Sequence, residues 1–252
     1  MIAYALVRPP GRDAVQGLTS QSGPPVLLSD LQRQHAVYCK ALRSLGLELI
    51  HLDSLPGFPD AYFVEDTAVV TPEVAIVTRP GAPERRGEVQ SIARALSAYR
   101  DLEVIDPPGR LDGGDVMIVD RHVFIGLSRR TNRHGADQLA RILSPLGYRC
   151  TPVEVGDGLH LKSSVNPLND RRLLIRSSWS RRPEFDGYAK LEVPSSETYA
   201  CNTLSINGHL LVPAGYPRTA ALLEACGLPV HAMDTHPFQR MDGGLTCLSL
   251  RF

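Results

Sequence analysis

One order of elements, strand, strand, helix, strand, returns along this chain, and that repetition limits the possible folds more than any single motif. Leu111–Val155 carries its clearest copy. Pro107-Pro108-Gly109 turns into the apolar strand Asp115–Val119, Asp120-Arg121 makes a tight turn, and His122–Gly126 returns. Asn132–Leu146 reads as a helix, with Leu139, Ile142, Leu143 and Leu146 on one face and Gly147 at its C-terminal end. Tyr148–Val155 closes the unit.

Further copies flank it. Phe63–Val70, Val74–Thr78, the helix Arg86–Tyr99 and Leu102–Ile105 form one. Leu159–Pro167 and Leu173–Arg176 start another, whose helix is weakened by Arg182-Pro183-Glu184. Cys201–Ile206, the hairpin turn Asn207-Gly208, His209–Pro213, the helix Arg218–Cys226 and Val230–Met233 form a fourth. The last strand, Leu245–Leu250, has its partners at the other end of the chain, in Ile2–Val7, the helix Leu31–Leu45 and Leu47–Leu52. Both termini thus complete a fifth unit. A ring closed in this way leaves no open sheet edge. The expectation is one domain over residues 1–252, a five-unit α/β ring with one strand of each unit near a central axis. An open α/β sandwich of the same elements is the alternative.

Strands near an axis should be apolar, yet each begins with polar residues. Glu65-Asp66, Asp112, His160, Asn202 and Cys247 follow one another at steps of 46, 48, 42 and 45 residues counted from Asp66. Residues at one phase of a ring meet at one end of its axis. Each has an ordinary explanation taken alone. Asp112 beside Gly113-Gly114 suits a turn, His160 between leucines suits a core, Cys247 suits packing, and Glu65-Asp66 suit a solvated strand end. For Asn202 the ordinary reading, a bond to backbone, is preferred. The shared phase favours a site for the rest. Thiol, imidazole and carboxylate supply a nucleophile, an acid/base and an orienting group. Two further carboxylates suit a planar cation with paired N–H groups, as in a guanidinium. Arg85-Arg86 and Arg129-Arg130 fall after the second strand and before the helix of their units, where loop arginines would grip a substrate carboxylate.

Lys+Arg and Asp+Glu balance at 27 each, so charge gives no reason to expect nucleic acid or a membrane surface as partner. No window approaches 18 apolar residues, and Met1–Pro9 does not read as a signal peptide. Five cysteines, an odd number without a C-x-x-C pair, suggest neither a disulfide framework nor a structural zinc site, and a reducing cytoplasm fits them.

Several motifs together resemble the dimethylarginine dimethylaminohydrolases of the guanidino-modifying superfamily. They are Phe58-Pro59-Asp60 with Phe63-Val64-Glu65-Asp66, Arg79-Pro80-Gly81 with Arg85-Arg86-Gly87-Glu88, and Leu111-Asp112-Gly113-Gly114-Asp115. Arg130-Thr131-Asn132, Leu159-His160-Leu161-Lys162, Pro213–Arg218 and Asp242–Ser249 continue the match, which runs from Gly17-Leu18-Thr19 to the C-terminus. The resemblance implies a five-bladed α/β propeller that hydrolyses methylated arginines to citrulline without cofactor or metal. It implies Cys247 as nucleophile, His160 as general acid/base and Asp112 as the catalytic carboxylate, where family members carry Glu or Asp. It further implies Glu65 and Asp66 on the guanidinium, Arg85 and Arg130 on the α-carboxylate, and Leu18, Asp60 and Met241 around the rest of the substrate. An arginine deiminase using the same groups, and a catalytically silent amino-acid-binding protein, are the competing readings. Zinc held by Cys247, His160 and a carboxylate would inhibit. The sequence leaves the oligomeric state open, a homodimer included.

Overall fold

The computed structural model of the chain describes residues 1–169 and 171–252. In chain order it runs β1 (Tyr4–Val7), α1 (Leu28–Ser44), β2 (Glu48–His51), β3 (Ala68–Val70), β4 (Val74–Val77), α2 (Val89–Leu96) and β5 (Asp101–Val104). Then come β6 (Val116–Val119), β7 (His122–Leu127), α3 (Arg133–Leu143), β8 (Arg149–Glu154), β9 (Val165–Pro167), β10 (Arg172–Arg176) and β11 (Ala189–Val193). The chain ends with β12 (Leu204–Ile206), β13 (His209–Pro213), α4 (Pro217–Glu224), β14 (Val230–Met233), α5 (His236–Gln239) and β15 (Leu250–Arg251). No helix among the described residues is long and apolar enough to cross a membrane.

The strands pair into five three-stranded sheets, β15-β1-β2, β3-β4-β5, β6-β7-β8, β9-β10-β11 and β12-β13-β14. In each, the middle strand runs antiparallel to the first and parallel to the third. The strand order of the expected unit recurs five times, with a helix in four of the units and one unit assembled from both chain ends. Local signals act as read. Asn207 and Gly208 take φ of 48° and 84°, the double positive φ of the tight hairpin turn that joins β12 to β13. The Asn132 side chain accepts from Gly135 N and caps α3, and Gly147 takes φ of 85° just after that helix ends in a 3-10 turn.

Two expectations are corrected. The strands expected over Phe63–Val70, Leu159–Pro167, Cys201–Ile206 and Leu245–Leu250 begin later than that. Their polar starts lie in or beside 3-10 turns at Val64–Thr67, Leu161–Ser163, Ser195–Cys201 and Thr246–Leu248, and Gly113–Asp115 is the turn of the remaining unit. Hydroxyl and carboxylate side chains in these turns bond to nearby backbone and compete with the sheet ladder. Thr67 donates to Val64 O, and Thr203 to Ala200 O. In the unit of β9–β11 the weak helix is absent, replaced by 3-10 turns at Ser177–Trp179 and Pro183–Phe185.

The apolar residues gather in five clusters, each shared between neighbouring units. Val74 and Ile76 pack with Val116, Val123 and Leu139, and Val119 and Phe124 with Val165 and Leu173. Leu174 and Val193 pack with Leu210 and Val212, Val7 and Leu31 with Ile206 and Leu211, and Leu6 and Leu250 with Ala75 and Ile92. Because the last two clusters join the terminal unit to both its neighbours, the ring is closed, which rules out the open sandwich. Gly113 shows how tight a joint is, since a Cβ there would overlap the carbonyl oxygen of Glu65 in the next unit. Gly113→Ala should therefore cost about 2 kcal/mol from overpacking. Calorimetry should read this as a Tm lowered by roughly 4–8 °C in a chain of this size.

Candidate active site

Each unit delivers its polar residue to the same end of the axis through its 3-10 turn. Glu65 and Asp66 lie inside one turn and Cys247 inside another, Asp112 and His160 precede theirs, and Asn202 follows its own. A cavity of about 610 Å³ opens there, lined by Cys247, His160, Glu65, Asp66, Asp60, Arg85, Arg130, Leu18 and Met241. Of the expected site residues only Asp112 is not on its wall. It is fully buried behind His160, accepting from His160 Nε2 at 2.9 Å and from Gly81 N at 2.7 Å. The short carboxylate thus reaches the imidazole and does not line the cavity. Gly114 permits this arrangement, because a Cβ there would lie 2.8 Å from the His160 ring.

The charges set protonation. Burial alone would lower the His160 pKa, but Asp66, the bond to Asp112, and Asp115 together raise it to about 9. The imidazole is therefore cationic at neutral pH and suited to give a proton away. Burial, with the negative charges of Glu65 and Asp66, pushes the Cys247 thiol up to about 12. Without a cation in the cavity Cys247 rests as a thiol. A guanidinium beside it would offset both carboxylates and favour the thiolate.

The adjacent carboxylates have different partners. Burial works against Glu65, but Lys162 and Arg251 hold its pKa below the ordinary value, and Thr246 Oγ1 donates to it at 2.7 Å. Asp66 accepts from Gly114 N at 3.0 Å and pairs with Arg85 at 2.5 Å, while its Oδ1 lies 3.8 Å from His160 Nε2. Arg85, read as a loop arginine, is instead buried. Its donors go to Glu88, Asp66 and the carbonyls of Asp60 and Phe63. Arg130 keeps 20% of its side chain exposed, 3.8 Å from Asp112. Asp60, its pKa raised by burial, binds Leu18 N through both carboxylate oxygens at 3.0 and 3.2 Å. Asn202 accepts from Thr246 N at 3.0 Å, the backbone bond expected of it. Lys162, Arg251, Glu88 and Asp115 are not singled out by the sequence, although Lys162, Glu88 and Asp115 stand inside motifs that carry the resemblance.

Among the described residues the group with metal-ligand atoms within 4.8 Å of one another is Asp66, Asp112 and His160, and Cys247 is not part of it. A protonated imidazole already bonded through Nε2 offers that group a poor nitrogen donor for a metal.

A ring of five three-stranded units, four of them with a helix, with a thiol, an imidazole and acids around one axial cavity is the arrangement of a five-bladed α/β propeller hydrolase with a cysteine nucleophile. The sequence model described as N,N dimethylarginine dimethylhydrolase, eukaryotic, matches residues 26–165. The dimethylarginine dimethylaminohydrolase of Pseudomonas aeruginosa is 38% identical over 255 residues, covering 100% of both chains. That of Streptomyces coelicolor is 34% identical over 98% of this chain and 96% of its own. A solved structure of the Pseudomonas enzyme, a cysteine-to-serine mutant complexed with citrulline, superposes with a TM-score of 0.97 at 36% identity over 100% of both chains. The N-terminal domain of a cyanobacterial arginine dihydrolase reaches a TM-score of 0.89 at 17% identity over 100% of this chain and 98% of that one, a likeness of fold. This chain belongs to the dimethylarginine dimethylaminohydrolase family.

Removing the Asp112 charge takes away one of the groups that raise His160, so in Asp112→Asn the imidazole pKa should fall clearly below about 9, read by NMR titration. The folded-state pKa lies above the unfolded 6.5, so the protonated imidazole contributes stability that is complete below pH 6.5 and lost as pH rises through about 9. Tm should decline over that interval, and less steeply in His160→Gln.

Proposed function

We propose that this chain hydrolyses Nω-methylated arginines, asymmetric dimethylarginine and monomethylarginine, to L-citrulline and dimethylamine or methylamine. The observation that carries this reading is the convergence of Cys247, His160, Glu65 and Asp66 on one cavity. The whole 252-residue ring acts as one catalytic domain, with no cofactor or metal in the reaction. Its five cysteines are free, which supports a cytoplasmic location.

Glu65 and Asp66 attract the guanidinium, Arg130 grips the α-carboxylate, and Arg85 adds its charge from behind Asp66 and Asp60. Leu18, Asp60 and Met241 enclose the amino-acid end. The bound cation lowers the Cys247 pKa, the thiol loses its proton to solvent, and the thiolate attacks the guanidinium carbon. His160, held by Asp112, gives its proton to the departing methylated nitrogen. The resulting thiouronium is attacked by water, which His160 deprotonates, and the C–S bond breaks to release citrulline.

A citrulline assay with dimethylarginine, monomethylarginine and arginine side by side tests the assignment, and preferential turnover of free arginine would refute it. Cys247→Ser should still bind monomethylarginine in calorimetry while turnover falls about a thousandfold or more. The wild-type kcat/KM should drop above about pH 9, where His160 loses its proton, and a profile flat to pH 10.5 would remove His160 from the acid role.

A further inference from the structure

We propose that Arg176 forms an anion subsite on the leaving-group side of the cavity, so that the chain also hydrolyses arginines whose terminal guanidine nitrogen carries a short carboxylic acid. The products are citrulline and an amino acid. This rests on the methylarginine reading above and extends it to a further class of substrate.

Arg176 ends β10, and its backbone N donates to Ser164 O at 2.9 Å, which brings it to the axial end where His160 lies. Its side chain lines the same cavity as Cys247 and His160. There the guanidinium makes one weak bond, Nη1 to Ser164 Oγ at 3.5 Å, while Nε is enclosed without a partner. Apart from the exposed Arg129, the other arginines and lysine of the cavity lie near carboxylates. Arg85 pairs with Asp66 and Glu88, Lys162 with Glu65, and Arg130 lies 3.8 Å from Asp112. Asp157 is exposed on the same wall, but among the described residues no carboxylate comes within 4.0 Å of Arg176. A partly enclosed guanidinium without a counter-charge is unfavourable, and a bidentate carboxylate is the group that satisfies it best.

The position selects where on a substrate that carboxylate must be. Arg85 and Arg130 come from the units that supply Asp66 and Asp112, and they serve the amino-acid end. Arg176 comes from the unit that supplies His160, and its charge reaches the Cys201 thiol, the residue before Asn202. Its guanidinium reaches Ser164, which closes the turn that His160 opens, and this puts it on the His160 side of the cavity, toward the departing nitrogen. A second cation there opposes a leaving group that gathers positive charge, such as dimethylamine. It favours one that carries its own carboxylate. A cavity of about 610 Å³ has room for the two or three additional atoms.

The chemistry balances as in the methylarginine reaction. With Nω-carboxymethyl-L-arginine, the thiolate of Cys247 bonds to the guanidinium carbon, and the bond to the carboxymethyl-bearing nitrogen breaks. That nitrogen keeps the electron pair, takes the His160 proton and leaves as glycine. Water then replaces sulfur on the same carbon, giving citrulline and restoring the cysteine.

The test measures citrulline and glycine from Nω-carboxymethyl-L-arginine, and citrulline from monomethylarginine, with wild type, Arg176→Ala and Arg176→Gln. The expected wild-type result is stoichiometric glycine and citrulline from the acid substrate. In both variants the ratio of kcat/KM for the acid over the methyl substrate should fall at least tenfold. Arg176→Gln retains a side chain able to reach Ser164 without the charge, so it separates charge from packing. Turnover of monomethylarginine without glycine release from the acid substrate would overturn the subsite and leave the methylarginine reading standing. A loss equal on both substrates in both variants would also overturn it, assigning Arg176 a structural role. Failure of wild type on both substrates would overturn the methylarginine reading and the subsite with it.

Discussion

A carboxylate taken out of water must be met by donors or cations, and one end of this ring buries Glu65, Asp66, Asp112 and Asp115 together. The rest of the structure arranges those partners. Lys162 and Arg251 meet Glu65, Arg85 and Gly114 N meet Asp66, His160 and Gly81 N meet Asp112, and Ser128 with Leu161 N meet Asp115. Each of these sets crosses from one unit to another or links a unit to its own loop. Bonds to the buried acids stitch three of the five joints of the ring, and bonds of Asn166 and Asn202 stitch the other two. Gly114 to Asp66 joins the first pair of units, Leu161 to Asp115 the next, Asn166 to Cys201 O the third, Thr246 to Asn202 the fourth, and Thr246 to Glu65 the last.

Stability and site are consequently hard to separate. The apolar clusters lie between units rather than inside them, so no unit keeps its core without its neighbours. The 3-10 turns lie at the inner ends of those joints, and neighbouring turns touch from Thr246–Leu248 round through Val64–Thr67, Gly113–Asp115 and Leu161–Ser163 to Ser195–Cys201. A turn exposes side chains that a continuous strand would have pointed alternately away, and this is how the ring aims a thiol and an imidazole into one cavity. The cost is a set of close backbone approaches, which Gly113 and Gly114 permit because they lack a Cβ.

Much of this was legible in the residues. The Asn207-Gly208 turn, the Asn132 cap, the apolar face of Leu139 and Leu143, and the split of the fifth unit between the chain ends all follow from local rules. The near-constant spacing from Asp66 to Cys247 announced a shared end of the axis. The starts of the inner strands were misread, because a run such as Leu245–Leu250 has the composition of a strand and only the neighbouring turns pull Thr246–Leu248 out of the ladder. Arg85 reads from sequence as a loop arginine that grips a substrate carboxylate, and its burial is not legible there, because nothing local tells that Asp66 closes over it.

The sequence by itself determined the repeating unit and the ring closure through the termini, and the common phase of the units picked out the candidate reacting groups, since these depend on periodicity and turn chemistry. Only the tertiary structure decided their charge states. Whether His160 is cationic or Cys247 a thiol depends on how many carboxylates lie near each and how little water reaches them. Those quantities belong to the assembled axis, because electrostatic interactions act through space between residues that the chain holds more than forty positions apart.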